Sequence, residues 1–504
     1  MAKVDLAADS AAEFRIRSIM IPLVAIIAGV FMVILDATAM NVAISHLALD
    51  FNTTMVTLQW TISGYLLAQA AVIPLAGWLS DRYGAKNIFL ISIALFTIGS
   101  ILCATPNSAE WLTVFRILQG LGGGAVLPVA MAYIFRLSPP HKVGTIMGMM
   151  GMPILFAPAI GPTLSGWLVE FHSWRWIFII NLPIGIMCVL LGMKYLPKVE
   201  RNAVAGMDWL GMLLGPIAFA ALSYGVSEGA TSWTSDKTIA GLVIGGAALI
   251  AFIIVELKVR TPLLELRVFR SVDFSLAIVV QWIGQFALYG AIFLLPQFLQ
   301  QARGFGAFDT GLILMPQAIA SGLMMPVSGW LYDRFGIRWL VVAGLTLISG
   351  AIYQYSLVDA TTVGSDLLIP LIMAGSGMGL MMMPLNTHLM GKAPRELVSR
   401  VTSITNGLLT VVNSFAVASI VTILTANIES RQTAVMESAV QTAESKLVLP
   451  ELLKGAAMKG YDDTFSVMLF IAIFGAVLGL TLRRNKKISD KSQAKQAQIE
   501  IMHG

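Results

Sequence analysis

Two residues of this chain have a charge that their surroundings make costly. Asp36 sits in the run "VFMVILDATAMNVAI" and Arg116 in "WLTVFRILQGLGGG". Each is the charge of its sign placed well inside a long apolar stretch. A carboxylate in such a stretch costs about 3 kcal/mol on membrane-insertion scales, which makes it a functional candidate by default. Burial opposes a carboxyl's charge, and a nearby guanidinium favours it. With the two effects opposed, protonation at Asp36 can follow access to water on one side or the other. Neutral, the acid crosses an occluded state cheaply; charged, it attracts a cation. A proton and a cationic ligand then compete for one place. The plain alternative is a static structural ion pair.

The elements that must hold these residues follow from composition. The chain has 504 residues, of which 57% are hydrophobic and only 12% charged. Soluble domains carry roughly 25% charged residues. Apolar runs of about 20 residues recur, each long enough to cross a bilayer as a helix. Fourteen spans are expected, among them 18–46, 174–196, 400–425 and 464–482. They are too long and uniform for barrel strands. Asp36 lies about 28 Å along its helix from the inner boundary at Arg17, and Arg116 about 9 Å from the outer boundary at Glu110. Both belong to the outer half of a core about 30 Å thick, so pairing, direct or through water, is expected.

Lys and Arg set the orientation. With the N-terminus inside, most of the 33 basic residues fall in the inner connections and the tail. The net charge of +5 therefore needs no nucleic acid. Both termini lie inside, and the spans divide six, two, six. This predicts an all-α integral membrane protein. Residues 1–200 form an N-terminal six-helix bundle, 201–262 an inserted two-helix linker, and 263–504 a C-terminal six-helix bundle. Segment 426–462 is a long outer connection, read either as an amphipathic surface helix built on Met436, Ala439, Val440, Ala443 and Leu447 or as a mobile tether. The basic tail after Leu482 reads as disordered.

The decapeptide "GWLSDRYGAK" (77–86) returns as "GWLYDRFGIR" (329–338). Both copies fall in short inner turns after the second helix of their half. Gly77 and Gly329 allow close helix approach. Asp81 and Asp333 can cap the next helix or pair with a cation. Arg82, Lys86, Arg334 and Arg338 face inner-leaflet phosphates. Gly84 and Gly336 complete the matched turns. Topogenic charge would account for the basic residues but not for the matched Gly-Trp-Leu-Asp, so the turns read as gates.

Gly144, Gly148 and Gly151 share one helix face, and Pro153, Pro158 and Pro162 follow; the face reads as a seam between the halves. Candidates for a cavity wall are Asn41, Tyr65, Gln69, Gln119, Gln281, Gln285, Tyr289, Asn386 and Asn413. Met324, Met325, Met381, Met382 and Met383 would supply an adaptable apolar surface. His388 beside Asn386 reads as a structural histidine.

Taken together, these motifs resemble the major facilitator superfamily, and within it the fourteen-helix drug:proton antiporters. The repeated turn resembles that superfamily's cytoplasmic signature, "LDATAMNVAI" its first-helix signature, and "RILQGLGGG" its fourth-helix motif. "GPTLSG", with Gly161, Pro162 and Gly166, resembles the fifth-helix antiporter motif. "WRWIFIINLPIG" and "TPLLELRVFR" also match. Departures are Ser45 for Pro, Ser165 for Gly, and a thirteenth helix without the usual Arg-Gln and Gly residues. The resemblance implies a proton-coupled multidrug efflux antiporter of a bacterial cytoplasmic (inner) membrane. It would export hydrophobic or cationic amphipathic compounds by alternating access, with no cofactor beyond the proton gradient. A dedicated exporter of one lipid, antibiotic or metabolite is the alternative. Exporters of this family in double-membrane bacteria can work with a periplasmic adaptor protein, and segment 426–462 faces the right side for one.

Other classes fit less well. Cys103 and Cys188 lie in separate apolar runs, and the five histidines have no metal-ligand spacing. No catalytic or metal-binding set is expected, and an intramembrane enzyme would need one. A channel needs neither duplicated gating turns nor a titratable intramembrane acid.

Overall fold

The structure, a computed structural model, describes residues 2–53, 55–139, 142–197, 208–229, 231–259, 262–358, 364–394, 397–440 and 449–482. All regular elements among them are helical. The first set comprises α1 (Ala2–Asp50), α2 (Met55–Tyr83), α3 (Ala85–Cys103), α4 (Ala109–Leu137), α5 (Val143–Phe171), α6 (Arg175–Ile179) and α7 (Asn181–Tyr195). A hairpin of α8 (Trp209–Gly229) and α9 (Asp236–Lys258) follows. The second set is α10 (Val272–Gln297), α11 (Ala307–Phe335), α12 (Ile337–Tyr355), α13 (Leu368–Gly391), α14 (Val398–Val440) and α15 (Leu449–Gly479). Among the described residues, 13 helical spans are long and apolar enough to cross a membrane, with α6 and α7 counted as one. The 29-residue α5 packs between α1 and α11 and makes the fourteenth.

These segments are helices because a bilayer offers no water to backbone amides, and a helix satisfies them internally. Their outward faces are as apolar as their inward ones: Val243, Ile369 and Phe470 are all exposed. An apolar outer face suits lipid and not water. Three helix starts carry serine caps. Ser108, Ser235 and Ser271 cap α4, α9 and α10 by accepting the amides of Trp111, Thr238 and Phe274.

Helices α1–α7 pack among themselves, as do α10–α15. The two sets meet along α5–α11 and along α2–α14, while the α8–α9 hairpin leans on α2 and α14 through α8. Glycine makes both seams possible. A Cβ at Gly77 would lie 2.6 Å from the Ser399 carbonyl oxygen, and one at Gly329 would overlap the Gly144 carbonyl oxygen. Gly148 likewise presses on the Met325 backbone. The glycine face of α5 therefore packs against α11 as a seam. Gly84 (φ 91°) and Gly336 (φ 79°) turn the chain from α2 into α3 and from α11 into α12. A side chain is strained at such φ values.

Two elements differ from expectation. The sixth span is broken at Ile180 because Pro183 has no N–H to give the Ile179 carbonyl. The break starts a new helix at Asn181. The outer connection 426–462 is mostly helix rather than loop: residues 426–440 continue α14, and 449–462 open α15. The helical spacing there belongs to an extension of a spanning helix, not to a separate surface helix. Asn427 donates to Thr464 (3.0 Å) and Arg431 pairs with Asp463 (2.8 Å), which tie the two extensions together. Residues 441–448, with Ala443 and Leu447, and the tail from 483 lie outside the described residues.

Candidate functional site

Asp36 and Arg116 meet. The Arg116 Nη1 lies 2.6 Å from Asp36 Oδ2, and both side chains are fully buried. Around them α1, α2, α3, α4 and α7 each contribute a group. Arg116 Nη1 also donates to Gln119 Oε1 (2.7 Å), and its Nε donates to the Thr61 carbonyl (3.3 Å). The other carboxylate oxygen, Asp36 Oδ1, accepts from Gln119 Nε2 (3.0 Å) and Asn181 Nδ2 (2.8 Å). Both amides also donate to Ser100 Oγ, which donates to the Phe178 carbonyl (3.2 Å). These three partners of Asp36 are all donors, the set that an ionised carboxylate needs. The Arg116 guanidinium lies 3.9 Å above the Tyr65 ring, and its Nη2 has no hydrogen-bond partner. The ring supplies that nitrogen with a cation–π contact instead.

The arrangement couples the acid to the cation. Protonating Asp36 removes the charge that holds Arg116 and breaks at least one donor bond. A small cavity lies against Asp36, lined also by Ala39, Leu164, Ser165 and Asn181. Its α5 wall is the "GPTLSG" stretch, and Gly161 in it presses on Thr38 of α1. Gly166 is half-buried. The antiporter-like motif thus touches α1 beside the acid. The side chains of Pro153, Pro158 and Pro162 lie outside the described set.

Tyr65, Gln69 and Gln119, expected on a cavity wall, belong to this polar cluster. Gln119 is 0% and Tyr65 1% exposed, so both serve as internal partners. Gln69 donates to the Tyr65 hydroxyl (2.8 Å). Gln281 and Asn386 form a separate pair at 3.0 Å between α10 and α13. Gln285 is buried; Tyr289 and Asn413 are half-buried on α10 and α14. None of these five touches Asp36. His388 is buried on α13. The Asn41 side chain lies outside the described set. Asn181 and Ser100 are not singled out by the sequence pattern. Asn181 carries a signal, being the polar residue of the apolar run "IFIINLPIG" (177–185); Ser100 carries none.

The repeated turns use their aspartates across the two sets of helices. Asp81 accepts from Arg136 Nη2 (2.9 Å) on α4 and from Arg400 Nε (3.2 Å) on α14. Asp333 caps α5: it accepts the amides of Gly144 (2.9 Å) and Thr145 (3.0 Å) and the Thr145 hydroxyl (3.0 Å). Neither caps the helix that follows it, where Gly84 and Gly336 stand as N-caps without side-chain bonds. Lys86 is turned inward, donating to the Met193 (2.8 Å) and Leu196 (2.7 Å) carbonyls at the end of α7. Arg82 lies over Trp78 and Tyr83, Arg334 over Trp330 and Phe335, and Arg338 beside Trp339; all three arginines are exposed. All these contacts lie at the end that basic residues assign to the cytoplasm, and those of Asp81 with Arg400 and of Asp333 with Gly144 and Thr145 tie the two sets of helices together there.

The many apolar helices long enough to span a membrane among the described residues, the duplicated turns and an acid sealed between helices define a multi-pass membrane protein of the transporter class. The chain belongs to the Major Facilitator Superfamily, whose sequence model matches residues 26–417. It is 31% identical over 486 residues to the lincomycin resistance protein LmrB of Bacillus subtilis (strain 168), covering 96% of this chain and 99% of that protein. It is 35% identical over 356 residues to the multidrug resistance protein B homolog of Mycobacterium tuberculosis (strain ATCC 25618 / H37Rv), covering 70% and 66%. In fold it is similar to the proton:xylose symporter XylE bound to 6-bromo-6-deoxy-D-glucose, with a TM-score of 0.59 at 14% identity over 93% of this chain and 97% of that one. The chain is thus a transporter and not an enzyme.

Proposed function

We propose that this chain is a proton-coupled exporter of hydrophobic or cationic amphipathic compounds in a bacterial cytoplasmic membrane. The observation that carries the reading is Asp36, sealed inside a spanning helix with its oxygens met by Arg116, Gln119 and Asn181. In the bilayer an ionised acid persists only with such partners. Proton arrival neutralises it and frees Arg116, so the polar cluster has two arrangements. The bundles α1–α7 and α10–α15 rock about the α5–α11 and α2–α14 seams, and the Asp81 and Asp333 contacts hold the cytoplasmic end shut in one state. Proton binding from outside and substrate binding from inside then alternate. The resistance named in the relatives supports toxic amphiphiles as substrates.

Purified protein in liposomes tests this reading. An imposed pH gradient is expected to drive movement of a fluorescent lipophilic cation, and Asp36→Asn to abolish the gradient dependence. Gradient-driven export that persists in Asp36→Asn rejects Asp36 as the coupling acid.

A further inference from the structure

A second pair of acids sits where the α8–α9 hairpin closes. Asp208 precedes α8 and accepts the Gly211 amide at Oδ1 (2.9 Å). Glu256, in the last turn of α9, accepts the amides of Leu263 and Leu264 (3.2 Å each). Asp208 is 5% and Glu256 2% exposed. The two carboxyls lie side by side against Gly211. The absent side chain of Gly211 makes the room: a Cβ there would overlap Asp208 Oδ2 and lie 2.7 Å from Glu256 Oε1. Asp208 Oδ2 has no protein donor. Two ionised carboxylates are acceptors only, and like charges this close and out of water exclude each other. A proton between them would relieve that conflict and supply Asp208 Oδ2 with the donor it lacks.

The charged groups around the pair do not replace that proton. At the end of α9 this is Lys258; on the connection and the helical turn 266–270 these are Glu265, Arg267 and Arg270; on α2, Asp81 and Arg82; on α14, Arg400. Arg267 lies 4.0 Å from Glu265. Arg400 bonds Asp81 and the Pro262 carbonyl. Among the described residues none forms an ion pair with Asp208 or Glu256. Arg201 and Arg260 lie outside the described residues.

The pair is linked to the gate. Glu256 holds the two amides that follow Pro262. The Pro262 carbonyl accepts from Arg400 Nη1 (2.8 Å), and Arg400 Nε reaches Asp81. We infer that Asp208 and Glu256 share one proton, making a second proton-binding site in the inserted helix pair that keeps Pro262 placed for Arg400 to latch the cytoplasmic end. When the proton leaves to water, two charges face each other. The start of α8 and the end of α9 part, and the latch loosens. This site is independent of Asp36.

The test uses full-length purified protein carrying Asp36→Asn, so that Asp36 contributes no signal. Infrared difference spectra, titrated from mildly acidic to alkaline pH, read the carbonyl stretch of neutral carboxylic acids. One such band is expected to disappear on titration, and to be missing throughout when Asp208→Asn is added. The new amide donates to Glu256 in place of the proton. Glu256→Gln provides the same band loss by an independent variant. Spin labels at Asn87 and Arg338, with Cys103 and Cys188 replaced, read the separation of the bundles. Alkaline pH is expected to lengthen that distance, and Asp208→Asn to keep it short. A neutral-acid band that survives both substitutions overturns the shared proton. Alkaline lengthening that survives Asp208→Asn overturns the latch.

Discussion

Arg116 has no water to turn to when its partner is lost. It is fully buried, and its bonds go to Asp36, Gln119 and the Thr61 carbonyl. Removing one member of a buried ion pair leaves the other charge uncompensated, at a cost of about 3–5 kcal/mol. Replacing both with neutral polar groups avoids that cost. Arg116→Ala is therefore expected to lower thermal stability in detergent more than the double change Asp36→Asn/Arg116→Gln. A double variant less stable than the single one would mean that the pair is a net stabiliser, as a static structural ion pair would be.

At the scale of helices, the seams depend on backbone contact. Gly329 lies against the Gly144 carbonyl oxygen, and backbone cannot turn aside as a flexible side chain can. Gly329→Ala is expected to cost about 1–3 kcal/mol through overpacking. Gly246 on α9 has open space where a Cβ would stand, with nothing within 4 Å. Gly246→Ala is expected to be neutral or to stabilise by up to about 1 kcal/mol, since alanine is the better helix former. Thermal melts of the two variants check the contrast. Asp333→Ala removes the cap of α5 and is expected to cost about 0.5–2 kcal/mol, read by the same melts.

For the whole molecule, two fastenings join the sets of helices at the end that basic residues assign to the cytoplasm. Asp81 with Arg400 fastens α2 to α14, and Asp333 fastens α11 to α5. The two contacts lie on different pairs of helices, and changes at separate sites generally add. Asp81→Asn and Asp333→Asn are each expected to raise the population with separated bundles, and together to add in free energy. Pulsed dipolar distances between labels at Asn87 and Arg338 measure it. If either variant alone opens the end completely, the two fastenings act as one unit.

Composition and the length of apolar runs by themselves determined a multi-pass helical protein, because a bilayer admits few other solutions for the backbone. The matched decapeptides were legible as a duplicated device, since a chain has no other reason to repeat Gly-Trp-Leu-Asp at equivalent turns. Asp36 and Arg116 were legible because a charge is conspicuous among apolar neighbours. Asn181, Ser100, Arg400 and the Asp208–Glu256 contact were not. Amides, hydroxyls and end-of-helix charges look ordinary in sequence, and only the packing of α7, α3, α14 and the inserted hairpin brings them to their partners. The extent of α14 was likewise decided by tertiary structure, since an amphipathic stretch beyond the membrane can lie on a surface or continue its helix. Its contacts with α15 select continuation.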